Sequence, residues 1–156
     1  MNLVIQQPGD ADVAPLHRDA PINSPFEVVV WLPLVDCAKT KGMLIVDKPT
    51  TLHALDALTD DDTSSGYARL EEITITEGTQ VEVPYGHACF FWPGLLHFVP
   101  VNEEAETRWS INIRFKNLFS PYGSKGLPEF FEVLHLSPLG RLAFEFESKG
   151  YVPITV

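Results

Sequence analysis

Three residues of this 156-residue chain, His17, Asp19 and His97, have the types and spacing to hold a metal ion. His17-Arg18-Asp19 sets an imidazole and a carboxylate two residues apart, and in extended backbone residues i and i+2 point to the same side. Both can therefore reach one ion. A third ligand from a distant strand would complete a facial triad of two histidines and one carboxylate. Such a triad leaves three octahedral positions open for a chelating cosubstrate and dioxygen. His97 is the best candidate: it follows Phe91-Trp92-Pro93-Gly94, a tight turn after an apolar strand that would aim a residue at the mouth of a barrel. Alone, His-x-Asp is a tripeptide that arises often by chance, so the rest of the set has to carry weight.

The stretch after His97 adds that weight. In Thr107 to Phe115, Arg108, Ser110, Asn112 and Arg114 fall on one face of a strand, and Trp109, Ile111, Ile113 and Phe115 on the other. The second face is a core face. The first offers two guanidinium groups and two small polar groups, which in an acidic protein points to a pocket for an anion. A guanidinium fork can bind a carboxylate through two parallel hydrogen bonds, and Ser110 can add a third. The other histidines, His53, His87 and His135, have no partner at ligand spacing and read as surface or satisfied core residues. Asp60 to Asp62 lack the glycine and terminal glutamate of a calcium loop and read as a solvated run.

The elements that must position these groups read mostly as strands. Period-two alternation runs through Phe26 to Leu32 and again through Glu72 to Thr76, where Ile73 and Ile75 alternate with threonine. Further β candidates are Leu3 to Gln6, Gly42 to Val46, Gln80 to Val83, His87 to Trp92, Leu96 to Pro100 and Thr107 to Phe115. Gly, Pro, Asn and Asp turn signals separate them, as in a sandwich or barrel. Thr59 to Gly66 has no apolar period and is expected to be a surface loop able to fold over a site. Helical patterning is expected late, at Pro128 to His135 and at Pro138 to Ser148, bracing the outside of the sheet.

Composition narrows the function. With 21 acidic and 11 basic residues the formal charge is −10, which repels phosphate backbones, so nucleic acid is excluded as a partner. No apolar stretch approaches the roughly 20 residues that span a bilayer, and the first residues lack a signal pattern, so no membrane role is expected. Cys37 and Cys89 are the only cysteines and lack CxxC spacing. They read as core thiols of a reduced compartment, the cytoplasm.

Taken together, the sequence resembles the Fe(II)/2-oxoglutarate-dependent dioxygenases, in particular the phytanoyl-CoA-hydroxylase-like branch and the oxygenases of carbohydrate-biosynthesis clusters. The resemblance rests on Leu16-His17-Arg18-Asp19, on Val30 to Asp36, on Gly42 to Val46, and on Gly86 to Gly94 followed by His97, Asn102 and the Arg108 strand. It implies a mainly β fold, a double-stranded β-helix (jelly roll, cupin-like) with a few C-terminal helices, spanning 1–156 as a single domain. It implies Fe(II) on His17, Asp19 and His97, with 2-oxoglutarate as cosubstrate. In that branch the 2-oxoglutarate arginine lies eleven residues after the distal histidine, which here falls on Arg108. The resemblance also brings Trp31 to the cosubstrate, with ordinary core packing as its alternative, and Ser110 stands beside Arg108 on the same strand face. Arg114 and Asn112 remain for the substrate, or Arg114 for an acidic side chain.

The stretch from Lys116 to Tyr122 resembles the carbohydrate-cluster members most, which leans the small-molecule substrate towards a sugar derivative. Members of the branch usually carry a substantial segment before His-x-Asp, whereas sixteen residues precede His17 here. Either that segment is dispensable, or the chain is a short form whose exposed sheet edges a second copy would cover, as a homodimer. Two other readings stay open at this stage. One is a β-helix module that binds metal or ligand without turnover; the other is a cupin-type sugar isomerase or epimerase.

Overall fold

The computed structural model describes residues 1–20, 22–58 and 63–149. Its chain divides into two units, Met1–Ser124 and Lys125–Val156. The candidate site residues all lie in the first.

That unit is mainly β, with two antiparallel sheets. The larger is built from β1 (Asn2–Gln6), β2 (Glu27–Pro33), β5 (Cys89–Phe91) and β7 (Arg108–Lys116), in the order β1-β7-β2-β5. The smaller contains β3 (Met43–Ile45), β4 (Thr79–Val81) and β6 (His97–Phe98), in the order β4-β3-β6. Their inner faces meet in one apolar cluster. Trp31, Cys89 and Phe91 come from the larger sheet, Met43, Ile45 and Val81 from the smaller, and Cys37 and Val83 from a bridge between loops. Trp31 is wholly buried there. Each large apolar side chain removed from water in this way contributes about 2–3 kcal/mol before entropy is subtracted. Two packed antiparallel sheets with a few helices are compatible with a cupin-like fold.

Two helices cover the outside of the small sheet, and one of them corrects the strand expected at Ile73. α1 (Lys48–Asp56) is capped by Asp47, whose carboxylate accepts from Thr50 N at 2.8 Å, with Pro49 in its first turn. α2 (Thr63–Glu77) takes in the Ile73-Thr74-Ile75 run. Strand propensity loses to packing here. Leu70, Ile73 and Thr74 fall at helical spacing on one face; Leu70 and Ile73 pack on Leu16, Val46, Ala54 and Leu96, while Thr74 is fully buried. The Thr74 hydroxyl is satisfied by the Leu70 carbonyl at 2.7 Å, as a threonine inside a helix requires. α2 also takes in Thr63 to Gly66, so that part of the expected loop is helical, and residues 59–62, with Asp60 to Asp62, lie outside the described residues.

In the second unit α3 (Pro138–Lys149) forms where Pro138 to Ser148 predicts it. Pro128 to His135 is not helical. The Gly126 carbonyl accepts from both Phe130 and Phe131, which closes a single turn that no helical ladder continues.

Candidate metal centre

β6 lies beside β3, with Ile45 opposite His97, and on its free side it takes up the segment around His17. His17 N donates to His97 O at 3.0 Å and His97 N to His17 O at 2.9 Å. Residues paired directly in this way project their side chains to the same face. The two imidazoles therefore stand together on the inner face, ring centroids 4.3 Å apart. Ala20 N donates to Pro93 O at 2.9 Å, so the chain stays on the same rail two residues further, where Asp19 turns inward. His17 Nε2 lies 3.9 Å from Asp19 Oδ1, and one ligand atom from each of His17, Asp19 and His97 falls within 4.8 Å of the others. The turn that aims His97 needs Gly94, because the Trp92 ring lies where a Cβ would sit.

Hydrogen bonds select the tautomer of both rings. His17 Nδ1 donates to Pro15 O at 2.7 Å and His97 Nδ1 donates to Leu95 O at 2.9 Å. A carbonyl oxygen only accepts, so each Nδ1 carries the hydrogen and each Nε2 presents a lone pair. Burial, reinforced by the neighbouring His17, holds the His97 imidazole below the ordinary histidine pKa, while its bond to Leu95 O works the other way. His97 is thus neutral and ready to ligate at pH 7. The donor set, two imidazole nitrogens and one carboxylate, suits a divalent transition metal.

The face of β7 that carries Arg108, Ser110, Asn112 and Arg114 lies on the inner side of the larger sheet, which corrects the expectation that the opposite face is the core face. Trp109 and Phe115 there are exposed, because that side of the sheet is left uncovered among the described residues. Register puts Gln6 opposite Arg108, Pro33 opposite Ser110, and Trp31 opposite Asn112. Arg108 is only 3% exposed, with its guanidinium 5.1 Å from the Trp31 ring and its Nη1 donating weakly to Gln6 Oε1 at 3.5 Å. Burial lowers its pKa, but a guanidinium remains charged. Arg108 Nε, Ser110 Oγ and Trp31 Nε1 are all buried without a hydrogen-bond partner. Such groups are costly unless something satisfies them. Buried donors beside a guanidinium are the kind of group that an anion can satisfy.

Arg114, on the same face, has instead turned to an acidic side chain: its Nη2 donates to Asp19 Oδ1 at 2.7 Å. Asn112 is half-buried on that face. His53, His87 and His135 are exposed and take no part in the metal group. Cys37 and Cys89 are free thiols in the core, as expected. Sequence reasoning missed Gln6, the neighbour of Arg108, and Glu27, which is 3% exposed on β2. The signal for Glu27 was the alternation itself, since the register that turns Trp31 inward turns Glu27 inward too.

No protein-family model and no curated protein matches the sequence. Solved structures do match in fold. The non-heme alpha-ketoglutarate-dependent carbocyclase SnoK from nogalamycin biosynthesis superposes with a TM-score of 0.60 at 15% identity, covering 81% of this chain and 51% of that one. The fold is shared with non-heme, alpha-ketoglutarate-dependent enzymes. AviO1 from Streptomyces viridochromogenes Tue57 gives 0.55 at 22% identity, over 76% of this chain and 50% of its own. The non-heme monooxygenase ThoJ, as a Ni complex, gives 0.55 at 16% identity, over 92% and 58%. The chain spans about half the length of these structures. Among the described residues, no helix is long and apolar enough to cross a membrane.

Proposed function

We propose that the protein is an Fe(II)- and 2-oxoglutarate-dependent oxygenase of double-stranded β-helix fold that oxidises a C–H bond of a small organic substrate, a sugar derivative. One observation carries this reading: His17, Asp19 and His97 converge with both Nε2 lone pairs free, and three unpartnered buried donors stand on the facing sheet. The fold shared with an alpha-ketoglutarate-dependent carbocyclase and with a Ni-binding monooxygenase supports it. Alpha-ketoglutarate and 2-oxoglutarate are the same compound.

His17 and His97 would hold the metal through Nε2, and Asp19 would supply the anionic ligand. Bound Fe(II) with 2-oxoglutarate supplies the oxidation, in which dioxygen is consumed and the cosubstrate is decarboxylated to succinate. Arg108 would hold the far carboxylate of 2-oxoglutarate, with Ser110 Oγ and Trp31 Nε1 as further donors and Phe91 and Trp31 as apolar neighbours that limit water. The acidic surface keeps nucleic acid away, free Cys37 and Cys89 suit the cytoplasm, and a homodimer is the expected assembly.

The test is succinate release from 2-oxoglutarate in the presence of Fe(II) and air, with and without a panel of sugar derivatives. Succinate is expected from the wild type and not after chelation or in Asp19→Ala. If no succinate forms with any substrate although metal and 2-oxoglutarate bind, the chain is a binding module and not an oxygenase.

A further inference from the structure

Arg114 stands between two sheltered carboxylates. Its Nη2 donates to Asp19 Oδ1 at 2.7 Å and its Nε lies 3.9 Å from Glu27 Oε2, with side-chain exposures of 15%, 12% and 1% for Arg114, Asp19 and Glu27. Glu27 is itself fixed: it sits in β2, diagonal to Arg114 across the β2–β7 pair, and its Oε1 accepts from Ser24 N at 2.9 Å. Neither Glu27 Oε2 nor Arg114 Nε has a hydrogen-bond partner, so charge and not a short bond holds the guanidinium from behind. Its one short bond goes to Asp19.

We propose that Arg114 is a positioning residue for the metal centre, which, backed by Glu27, fixes the rotation of the Asp19 carboxylate against His17 and His97 and so sets the affinity of the triad for a divalent cation. The proposal rests on the metal-site reading above. An aspartate side chain has two soft torsions, and a carboxylate left to rotate must be ordered when the ion arrives. Arg114 does that ordering beforehand, because Asp19 cannot swing away from the imidazoles without giving up a charge-assisted hydrogen bond. A planar fork can face both carboxylates at once, as Nε and Nη2 do here. A lysine has one nitrogen and must choose. The arrangement also assigns Arg114 away from 2-oxoglutarate, leaving that role to Arg108.

The experiment is anaerobic titration with Co(II) alone, followed by its d–d absorption, on the wild type, Asp19→Ala, Arg114→Lys and Glu27→Gln, with the melting temperature of each metal-free protein. Arg114→Lys keeps the charge, so a loss there reports geometry. The expected result is Co(II) affinity roughly tenfold to a hundredfold weaker in Arg114→Lys and weakened in Glu27→Gln, with altered band positions and metal-free melting within about 5 °C of wild type. Glu27→Gln keeps the side-chain shape and carries the test if Arg114→Lys does not fold. If wild type binds Co(II), Asp19→Ala does not, and both other variants bind like wild type, Arg114 is no positioning residue and the metal site stands. If wild type binds no Co(II), the metal-site reading itself falls, and the proposal with it.

Discussion

Two arginines six residues apart on one face of β7 have opposite surroundings. Arg114 is compensated twice, by Asp19 and by Glu27. Arg108 is more deeply buried, yet among the described residues no carboxylate lies within ion-pair distance of it, and its Nε has no hydrogen-bond partner. A paired buried arginine belongs to the protein's own architecture, whereas an unpaired one is expensive to keep unless a ligand completes it. On the function proposed above, the contrast divides the inner face into a metal end, whose arginine is paired within the chain, and an anion end, whose arginine a ligand would complete.

The largest effect that can break this contrast is on stability. Arg114→Met takes the guanidinium away from two sheltered carboxylates, leaving Glu27 only Ser24 N and the charge of Lys116, and is expected to cost about 3 kcal/mol, read as a lower urea midpoint of the metal-free protein. Arg108→Met removes an uncompensated charge and should be within about 1 kcal/mol of neutral or stabilising. Equal losses for the two would erase the distinction.

Next in size is pH. The titrating neighbour at the metal end is His97, held below the usual 6.5; at the anion end it is Cys37, whose thiol burial raises above 9.0 despite the opposing charge of Arg108. For His97 the unfolded chain binds the proton more tightly, so stability falls as pH drops below about 6.5, by up to about 1.4 kcal/mol per pH unit. For Cys37 the unfolded chain loses its proton first, so stability falls as pH rises past about 9. Urea midpoints across pH 5 to 10 should show both limbs, with His97→Gln flattening the acid one and Cys37→Ala the alkaline one. An acid limb of the same slope in His97→Gln would place the titrating group elsewhere. The smallest effect sharpens the anion end: Ser110→Ala removes one donor and should raise the 2-oxoglutarate KM about fivefold, near 1 kcal/mol, with metal affinity unchanged.

The division of β7 into a polar and an apolar face was legible in the sequence because period-two alternation is local, and so was the inward pairing of His17 with Asp19. Which face of β7 turns inward was not, since Trp109 and Phe115 stand exposed where a core face was expected while Arg108 and Ser110 are buried. What Arg114 touches was not, since Asp19 lies 95 residues away and alternation names a face without naming a partner. α2 misled for a related reason: Ile73-Thr74-Ile75 alternates like a strand, but Leu70 and Ile73 face the core at helical spacing. α1 buries only Thr51 and Ala54 and so leaves no apolar stripe in the sequence. The free donors of Arg108, Ser110 and Trp31 needed three dimensions, because an unmet hydrogen bond is a property of packing.

The most direct test of the metal and anion ends together is the visible charge-transfer absorption of the anaerobic protein with Fe(II) as 2-oxoglutarate is added. A weak band is expected in the wild type, none in Asp19→Ala, and in Arg108→Met a band that requires roughly tenfold to a hundredfold more 2-oxoglutarate. No band in the wild type, or one in Asp19→Ala equal to it, would contradict the assignment of His17, Asp19 and His97 as the ligands.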